Sequence, residues 1–391
     1  MRYAFHDCVL DMETFVLTRA GKPIAVEPQV FDLIGILAEA SGDLVTKDTL
    51  VDRVWQGLAV SDATINARLS AARKAVGDDG KRQEIIKTIP RRGFLLCAPV
   101  NSNDPSPSIQ TSVATGTVRF AQSADGAPIA WTSEGSGPPL VRIGHWLSKL
   151  DRDRASSIWG PLIERFARDR ELIRYDLRGT GLSGRGVALD GVDRYCDDLL
   201  SVVNASGHDR VQIFAPSQAV PVALAFAARY PDRVDRMALY GGYVQGRRVR
   251  DLAPGELDTD TAIAMIRAGW GVRGSVFMES FVHIFCPDAT PEQVQEIAET
   301  QKATVDADAA IRLRDAVDRF DVSALLDRVQ CPVLVMHNAD DAIHPVAQSQ
   351  LIAQRLTNAQ LLVFEGRNHI PLPQTPSWVQ MMAAAEAFLD A

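Results

Sequence analysis

Between Pro99 and Gly116 the chain turns to Pro, Ser, Asn and Thr, with almost no apolar residue of size. This break constrains the fold more than any other feature. Such a stretch cannot bury enough apolar surface to offset the entropy of ordering it, so it reads as a flexible linker. Residues 1–98 and 117–391 are then separate folding problems, each long enough to bury its own core.

The two parts have different hydrophobic rhythms. The first opens with strand-like alternation over Cys8–Asp11 and Thr14–Arg19 and a turn at Ala20-Gly21-Lys22. Pro28 suits a first helical turn, and Val30, Phe31, Ile34 and Leu37 carry that helix towards Gly42. Thr46 precedes a second helix over Lys47–Trp55. Ser61 or Asp62 caps a third, with Ile65, Leu69, Ala72 and Val76 on one face. Two short strands follow, Glu84–Ile89 and Gly93–Cys97, joined at Pro90-Arg91-Arg92.

Beyond the linker, strand runs alternate with helical ones. Pro139–Ile143, Leu172–Tyr175, Val211–Phe214 and Met237–Leu239 read as strands, with helices near Ile158–Arg168 and Val222–Arg229. That alternation predicts a mostly parallel sheet with helices on both faces. Residues 244–320 interrupt it with helix-like sequence, as an inserted cap would, and strand signals return at Val333–Met336 and Leu361–Phe364.

At 46% hydrophobic and 23% charged residues the make-up is that of an ordinary soluble protein. No run of about 18 apolar residues appears, so no membrane span is expected. Met1–His6 lacks the basic-then-apolar pattern of a secretory signal. The five cysteines (Cys8, Cys97, Cys196, Cys286, Cys331) are odd in number, scattered and never in a CxxC pair. A reducing cytoplasm is expected, with neither a disulfide framework nor a zinc site, and no cofactor is implied. The net charge of −8 lies wholly beyond residue 100, because residues 1–100 hold 13 Lys/Arg against 13 Asp/Glu. Residues 61–95 carry eight basic and four acidic side chains. Such a stretch can face phosphates, or it can be a solvated basic surface.

Three helices followed by a hairpin are the parts of a winged helix-turn-helix, whose third helix enters the major groove. Residues 5–97, with Val54-Trp55 closing the second helix and Lys87-Thr88-Ile89-Pro90-Arg91-Arg92-Gly93-Phe94 as the wing, resemble the OmpR/PhoB effector domain, the wing being most similar to the CadC/ToxR branch. The resemblance implies that Thr64, Arg68, Arg73 and Lys74 on the third helix, and Thr88, Arg91 and Arg92 on the wing, touch double-stranded DNA. Ala63, Ala67, Ser70 and Ala71 stand where the family often places Arg or longer groups. Small residues offer methyl contacts to thymine but few bidentate base contacts, so sequence preference is expected to be modest or partly shape-read. The alternative is a domain turned to protein interaction.

Gly179-Thr180-Gly181-Leu182-Ser183-Gly184 matches GxGxxG, but no convincing first strand or acidic strand end accompanies it. The longer string Tyr175-Asp176-Leu177-Arg178-Gly179-Thr180-Gly181-Leu182-Ser183 is similar instead to a loop of the α/β-hydrolases. Ser217, in Phe214-Ala215-Pro216-Ser217-Gln218-Ala219, sits where a strand runs in and a helix leaves, the context of a nucleophile elbow. Both glycines of the usual G-x-S-x-G are alanines here, and on the pentapeptide alone a plain surface serine is the better reading.

Its partners change that reading. Asp341 follows a late strand and His369 the last one, and the order Ser, Asp, His with these spacings resembles the α/β-hydrolase family from about residue 117 onwards. The resemblance implies Ser217 as nucleophile, His369 as base and Asp341 as its orienting acid, with Asp340 competing for that role. His337 and His344 flank the same loop and read as structural. The oxyanion donors implied are the backbone N–H groups of Gln218 and Trp146, although His145 occupies a position where the family commonly has glycine. His145 either fills space or contacts a ligand. Tyr240–Tyr243 and the cap residues Trp270, Phe277, Met278, Phe281 and Phe285 could line an apolar pocket above Ser217.

The expectation is therefore two domains, a winged helix-turn-helix (α+β, 1–98) and, after the linker 99–116, an α/β-hydrolase fold (117–391). The latter is a mostly parallel sheet with helices on both faces and a helical cap over about 244–320. Functionally, the chain is expected to be a DNA-binding regulator sensing a small-molecule ligand (an ester, lactone or acyl compound), with slow hydrolysis open to it. Homodimerisation through the second domain is expected. The alternative is a serine esterase that a winged helix localises or regulates.

Overall fold

A computed structural model describes residues 2–12, 14–40, 44–55, 60–89, 92–98, 100–102, 117–146, 148–252, 256–272 and 275–391. The described residues fall into two compact units divided between residues 112 and 113.

In the first unit β1 (Arg2–Phe5), β2 (Cys8–Asp11), β3 (Val16–Arg19) and β4 (Lys22–Ile24) form an antiparallel meander. Helices α1 (Pro28–Glu39), α2 (Lys47–Trp55) and α3 (Asp62–Val76) follow, then the hairpin β5 (Ile86–Ile89) and β6 (Gly93–Leu96). Pro28 starts α1, which buries Val30, Phe31, Leu33, Ile34 and Leu37. Ser61 caps α3, its Oγ accepting the Thr64 N–H at 3.2 Å, and Ile65, Leu69, Ala72 and Val76 face the core. At the base of the wing, Phe94 bridges to Val45. A Cβ on Gly93 would lie 2.2 Å from the Val45 carbonyl, and its φ of +146° is one that side chains rarely adopt, so glycine is required.

Val100–Ser102, inside the stretch expected to be linker, forms β7, which pairs with β1 and completes a five-stranded sheet ordered β4-β3-β2-β1-β7. A strand of three residues is too short for a period of two to show in the sequence. The rest of the expected linker, Pro99 and residues 103–116, lies outside the described residues.

The second unit begins with the hairpin β8 (Arg119–Gln122) and β9 (Pro128–Glu134), then β10 (Pro139–Arg142), α4 (Leu150–Asp153), α5 (Trp159–Asp169) and β11 (Glu171–Tyr175). α6 (Val192–Ala205), β12 (Val211–Pro216), α7 (Ala219–Arg229) and β13 (Val234–Tyr240) continue it. Four cap helices follow: α8 (Thr259–Gly269), α9 (Val276–Phe285), α10 (Pro291–Thr304) and α11 (Ala307–Val317). The chain closes with β14 (Val333–Asn338), α12 (Val346–Arg355), β15 (Ala359–Phe364) and α13 (Pro376–Asp390). Eight strands form one sheet in the order β8-β9-β11-β10-β12-β13-β14-β15, parallel from β11 to β15. All six residues of β12 and of β14 are buried, as central strands of a helix-flanked parallel sheet must be. The two units are thus a winged helix-turn-helix region and an α/β-hydrolase fold.

The GxGxxG string is a structural loop. Asp176 is buried at its base and accepts the N–H groups of Leu150 (2.9 Å) and Leu182 (2.8 Å). A Cβ on Gly181, at φ +52°, would lie 2.2 Å from its carboxylate, so the loop wraps a carboxyl rather than a phosphate.

Candidate active site and DNA-facing surface

Parallel strands deliver their C-terminal ends to one edge of the sheet, and the chemistry-bearing side chains of the second unit gather there. Ser217 lies between β12 and α7 with φ +56°, a left-handed conformation that few side chains adopt. Its N–H donates to the Tyr240 carbonyl (2.8 Å) and its own carbonyl accepts from Val220 (3.0 Å), which pins the sharp turn. The turn forms with Ala215 and Ala219, both buried, in place of the usual glycines.

The loops after β15 and β14 bring the partners. His369 Nε2 is 2.7 Å from Ser217 Oγ, and its Nδ1 is 2.7 Å from Asp341 Oδ2. A carboxylate only accepts, so Nδ1 carries the proton and Nε2 is left to accept the serine hydroxyl. Asp341 is buried, and burial raises its pKa. The His369 charge and hydrogen bond, His337 and the Ile343 N–H outweigh that and leave the carboxyl below its usual value. Asp340 is exposed and takes no part. His337 donates from Nε2 to the His344 carbonyl (2.9 Å) and pairs through Nδ1 with Ser349 (2.7 Å). Burial lowers its pKa, which keeps it neutral. The His344 ring packs against Tyr243 at 4.5 Å and His369 at 5.3 Å. Gly241 lies behind the cluster, where an added Cβ would sit 3.4 Å from Asp341, so Tyr240–Tyr243 backs these residues rather than walling a pocket.

Gln218 follows Ser217 directly, and Trp146 lies in the loop after β10. Neither backbone N–H meets an acceptor among the described residues. A cavity of about 20 Å³ touches Ser217, Pro216, His369, His145, Trp146 and Phe285. A second, of about 40 Å³, shares His145, Trp146, Trp159, Phe285 and Ile370 with it and continues towards Glu296, Thr300 and Gln301 of cap helix α10. One water needs at least about 10–15 Å³ of such space, so the closed site admits only very small groups. Glu296 fastens α10 over it, accepting from Ser156 Oγ, Ser157 N (3.0 Å) and Ser157 Oγ (2.6 Å).

Of the five cap residues singled out in the sequence, Phe285 reaches the cavity and lies edge-on to His369 at 5.8 Å. Trp270, Met278 and Phe281 are buried, with Trp270 meeting Phe281 at 6.5 Å within the cap and lying edge-on at 6.4 Å to Trp146 of the cavity wall. Phe277 is exposed.

In the first unit, Lys74 and Arg92 are exposed and Thr64 is half-buried, its hydroxyl 3.0 Å from the capping Ser61. Arg91 lies outside the described residues. Arg73 corrects the expectation for its position. It is buried, donating from Nε to the Ile86 carbonyl (2.9 Å) and from Nη2 to Thr88 Oγ1 (2.8 Å), so it ties α3 to β5 instead of facing DNA. Thr88 is half-buried at the other end of that bond. Arg68 is held back by Glu27 and by Gln29 (3.1 Å) at the start of α1. The outward face of α3 is instead Ala63, Asn66, Ala67, Ser70 and Lys74. Asn66 was legible but missed: with Ile65 and Leu69 pointing inward, helical geometry puts residue 66 outside.

Sequence comparison agrees with both units. Residues 21–96 match the family described as transcriptional regulatory protein, C terminal. Over 85 residues the chain is 32% identical to the transcriptional activator CadC of Escherichia coli K12, covering 22% of this chain and only 17% of that one. A putative carbamate hydrolase, RutD of Caulobacter sp. K31, is 27% identical over 222 residues, 53% of this chain and 76% of its own. Among solved structures, a hydrolase from Pseudomonas aeruginosa PA01 superposes with a TM-score of 0.58 at 23% identity, over 71% of this chain and 99% of that one. Residues 160–373, more than half of the chain, match the family described as serine aminopeptidase, S33. The chain belongs to that serine aminopeptidase S33 family of α/β hydrolases, with an OmpR/PhoB-type DNA-binding regulatory domain ahead of the hydrolase domain.

Proposed function

We propose that this protein is a transcription regulator whose hydrolase domain senses a small ester, lactone or other acyl compound and resets itself by slow hydrolysis. The observation that carries the reading is the union, in one chain, of an OmpR/PhoB-type domain with a serine, histidine and aspartate linked by two 2.7 Å hydrogen bonds. In this reading His369 Nε2 takes the Ser217 proton as Oγ attacks the acyl carbon. Asp341 holds the proton on Nδ1 and stabilises the imidazolium, and the N–H groups of Gln218 and Trp146 receive the oxyanion. A cavity this small, under a cap fastened by Glu296, implies that the cap moves to admit a ligand. Turnover is slow for that reason, and occupancy is the useful signal.

On the DNA side, Lys74, Arg92 and Thr88 meet phosphates while Asn66 and Thr64 meet bases. Asn pairs well with adenine, and the alanines beside it suit thymine methyls, so an A·T-rich half-site is favoured. The site of action is the cytoplasm, and two such readers are paired by dimerisation of the hydrolase domains.

The test uses the full-length protein. It should bind a duplex selected from a random pool, and a fluorophosphonate should label Ser217 but not Ser217→Ala. Labelling with rapid turnover and no duplex binding would instead make it an esterase with a vestigial reader. Duplex binding without labelling would make it a receptor without chemistry.

A further inference from the structure

We propose that Asp318, at the root of the cap, is a positioning residue for both sides of the reaction site. Through Arg247 it sets the loop that carries Asp341, and through Arg314 it sets Trp146, so Ser217 is fully reactive only when the cap is seated. This rests on the reading of Ser217, His369 and Asp341 as an acyl-transfer site and adds how the cap governs it.

The chain enters the cap over residues 244–248 and leaves it over residues 318–322, and these two segments lie side by side as a stem. The Val322 N–H donates to the Val244 carbonyl (3.1 Å), the Gly246 N–H to the Phe320 carbonyl (2.8 Å) and the Arg248 N–H to the Asp318 carbonyl (2.8 Å). The stem is tied to the core beside the acid loop, where Gln348 Oε1 of α12 accepts the N–H groups of Val244 (3.0 Å) and Gln245 (3.1 Å).

Asp318 is fully buried, and its carboxylate gathers two guanidinium groups and the Thr259 hydroxyl (2.8 Å) of α8. Arg247, also buried, donates from Nη1 to Asp318 (3.4 Å) and from Nη2 to the Ile343 carbonyl (2.6 Å). That carbonyl belongs to the peptide whose N–H, on His344, donates to Asp341 Oδ1 (3.3 Å). A cation at the carbonyl end polarises the N–H end, so Arg247 fixes this peptide and strengthens its hold on Asp341. Arg314 of α11, the second partner of Asp318, lies with its Cζ 5.0 Å from the centre of the Trp146 ring, a buried cation–π contact. Trp146 carries the second oxyanion donor of the proposed site. Buried ion pairs add little net stability over apolar packing, and their best-attested use is to fix geometry. Displacing the cap moves α11 and the stem, and with them both arms of this cluster.

The test follows fluorophosphonate labelling of Ser217 in the full-length protein, separating the maximal rate from the half-saturating concentration. Beside it, proton NMR records the downfield signal of the His369 Nδ1–H held by Asp341. Asp318→Asn, Arg247→Met and Arg314→Met should each lower the maximal rate about 10- to 100-fold, the cost of a misplacement on the order of 1 Å, with the half-saturating concentration unchanged. Arg247→Met should also shift or broaden the downfield signal, Arg314→Met should leave it in place, and Arg247→Lys should recover part of the rate. Arg248→Gln, which breaks the more exposed stem pairs with Asp260 and Asp315, should change neither readout. If Arg247→Met does not fold, Asp318→Asn decides, because it keeps the volume and an acceptor for Thr259. An unchanged maximal rate in any of the three, an equal fall in Arg248→Gln, or a change in the half-saturating concentration alone overturns the proposal. If the unaltered protein is not labelled, the acyl-transfer reading fails and the NMR signal decides this proposal by itself. Asp318→Asn or Arg247→Met must then move it, and an unmoved or absent signal overturns the proposal.

Discussion

Ser217 stores backbone strain, and that strain can be measured apart from its chemistry. Ser217→Ala and Ser217→Gly both lose the hydrogen bond to His369, but only glycine relaxes a φ of +56°. A non-glycine residue held there costs on the order of 1–3 kcal/mol, offset in part by the entropy that glycine loses on folding. Ser217→Gly should therefore be more stable than Ser217→Ala by about 1 kcal/mol in chemical denaturation. Equal stabilities would mean that the elbow is relaxed. Asp176 gives a second prediction at this scale. Burial, against the pull of the Leu182 and Leu150 N–H groups, pushes its carboxyl up from 3.8 to about 7. A folded-state value above the unfolded one means stability that is full below about pH 4 and is lost as pH rises through about 7. Asp176→Asn should flatten that decline in the hydrolase domain's thermal unfolding, and an unchanged pH profile would remove Asp176 as its source. Neither property was legible in the sequence. Asp340 and Asp341 are adjacent, and the order Ser, Asp, His along the chain does not say which of the two is buried. Only the loop geometry, with the Ile343 N–H at 2.8 Å, picks out Asp341 as the partner of His369.

Elements were easier to read than the side chains they carry. The amphipathic register of α3 follows from Ile65, Leu69, Ala72 and Val76, and the apolar runs at Val211 and Val333 declare buried parallel strands. Strand β8 is four residues long and mostly exposed and β7 only three residues long, and nothing in their periodicity separates them from loop. Arg73 was misplaced for a different reason: a long side chain on a recognition helix can fold back onto the wing, and charge alone does not say which way it turns. Its guanidinium holds α3 to β5, so Arg73→Met should leave the Ile86 carbonyl unpaired and destabilise the first domain by about 1–3 kcal/mol. A phosphate contact would leave stability unchanged and lower the salt dependence of DNA binding instead. Asn66 supplies the converse test. Asn66→Ala should leave stability unaltered and cost about 1–3 kcal/mol of discrimination at a single base pair in a competition assay across duplex variants. A uniform loss across sequences would make Asn66 a backbone contact.

At the scale of the whole molecule, two domains share one chain, and on the proposed reading the consequence of that union is coupling. No described helix is long and apolar enough to cross a membrane. A ligand acts only through its differential affinity for two states, and in the proposed reading these are the closed and open positions of the cap over Ser217. Fluorophosphonate supplies a defined occupant of the cavity whatever the natural ligand is. The most direct measurement is the affinity of the full-length protein for its selected duplex, before and after Ser217 is fully phosphonylated, beside that of residues 1–116 alone. The account predicts that phosphonylation shifts the full-length affinity by about 5- to 150-fold, the usual range of allosteric coupling, and leaves residues 1–116 unaffected. Identical affinities for the free protein, the phosphonylated protein and residues 1–116 would contradict it.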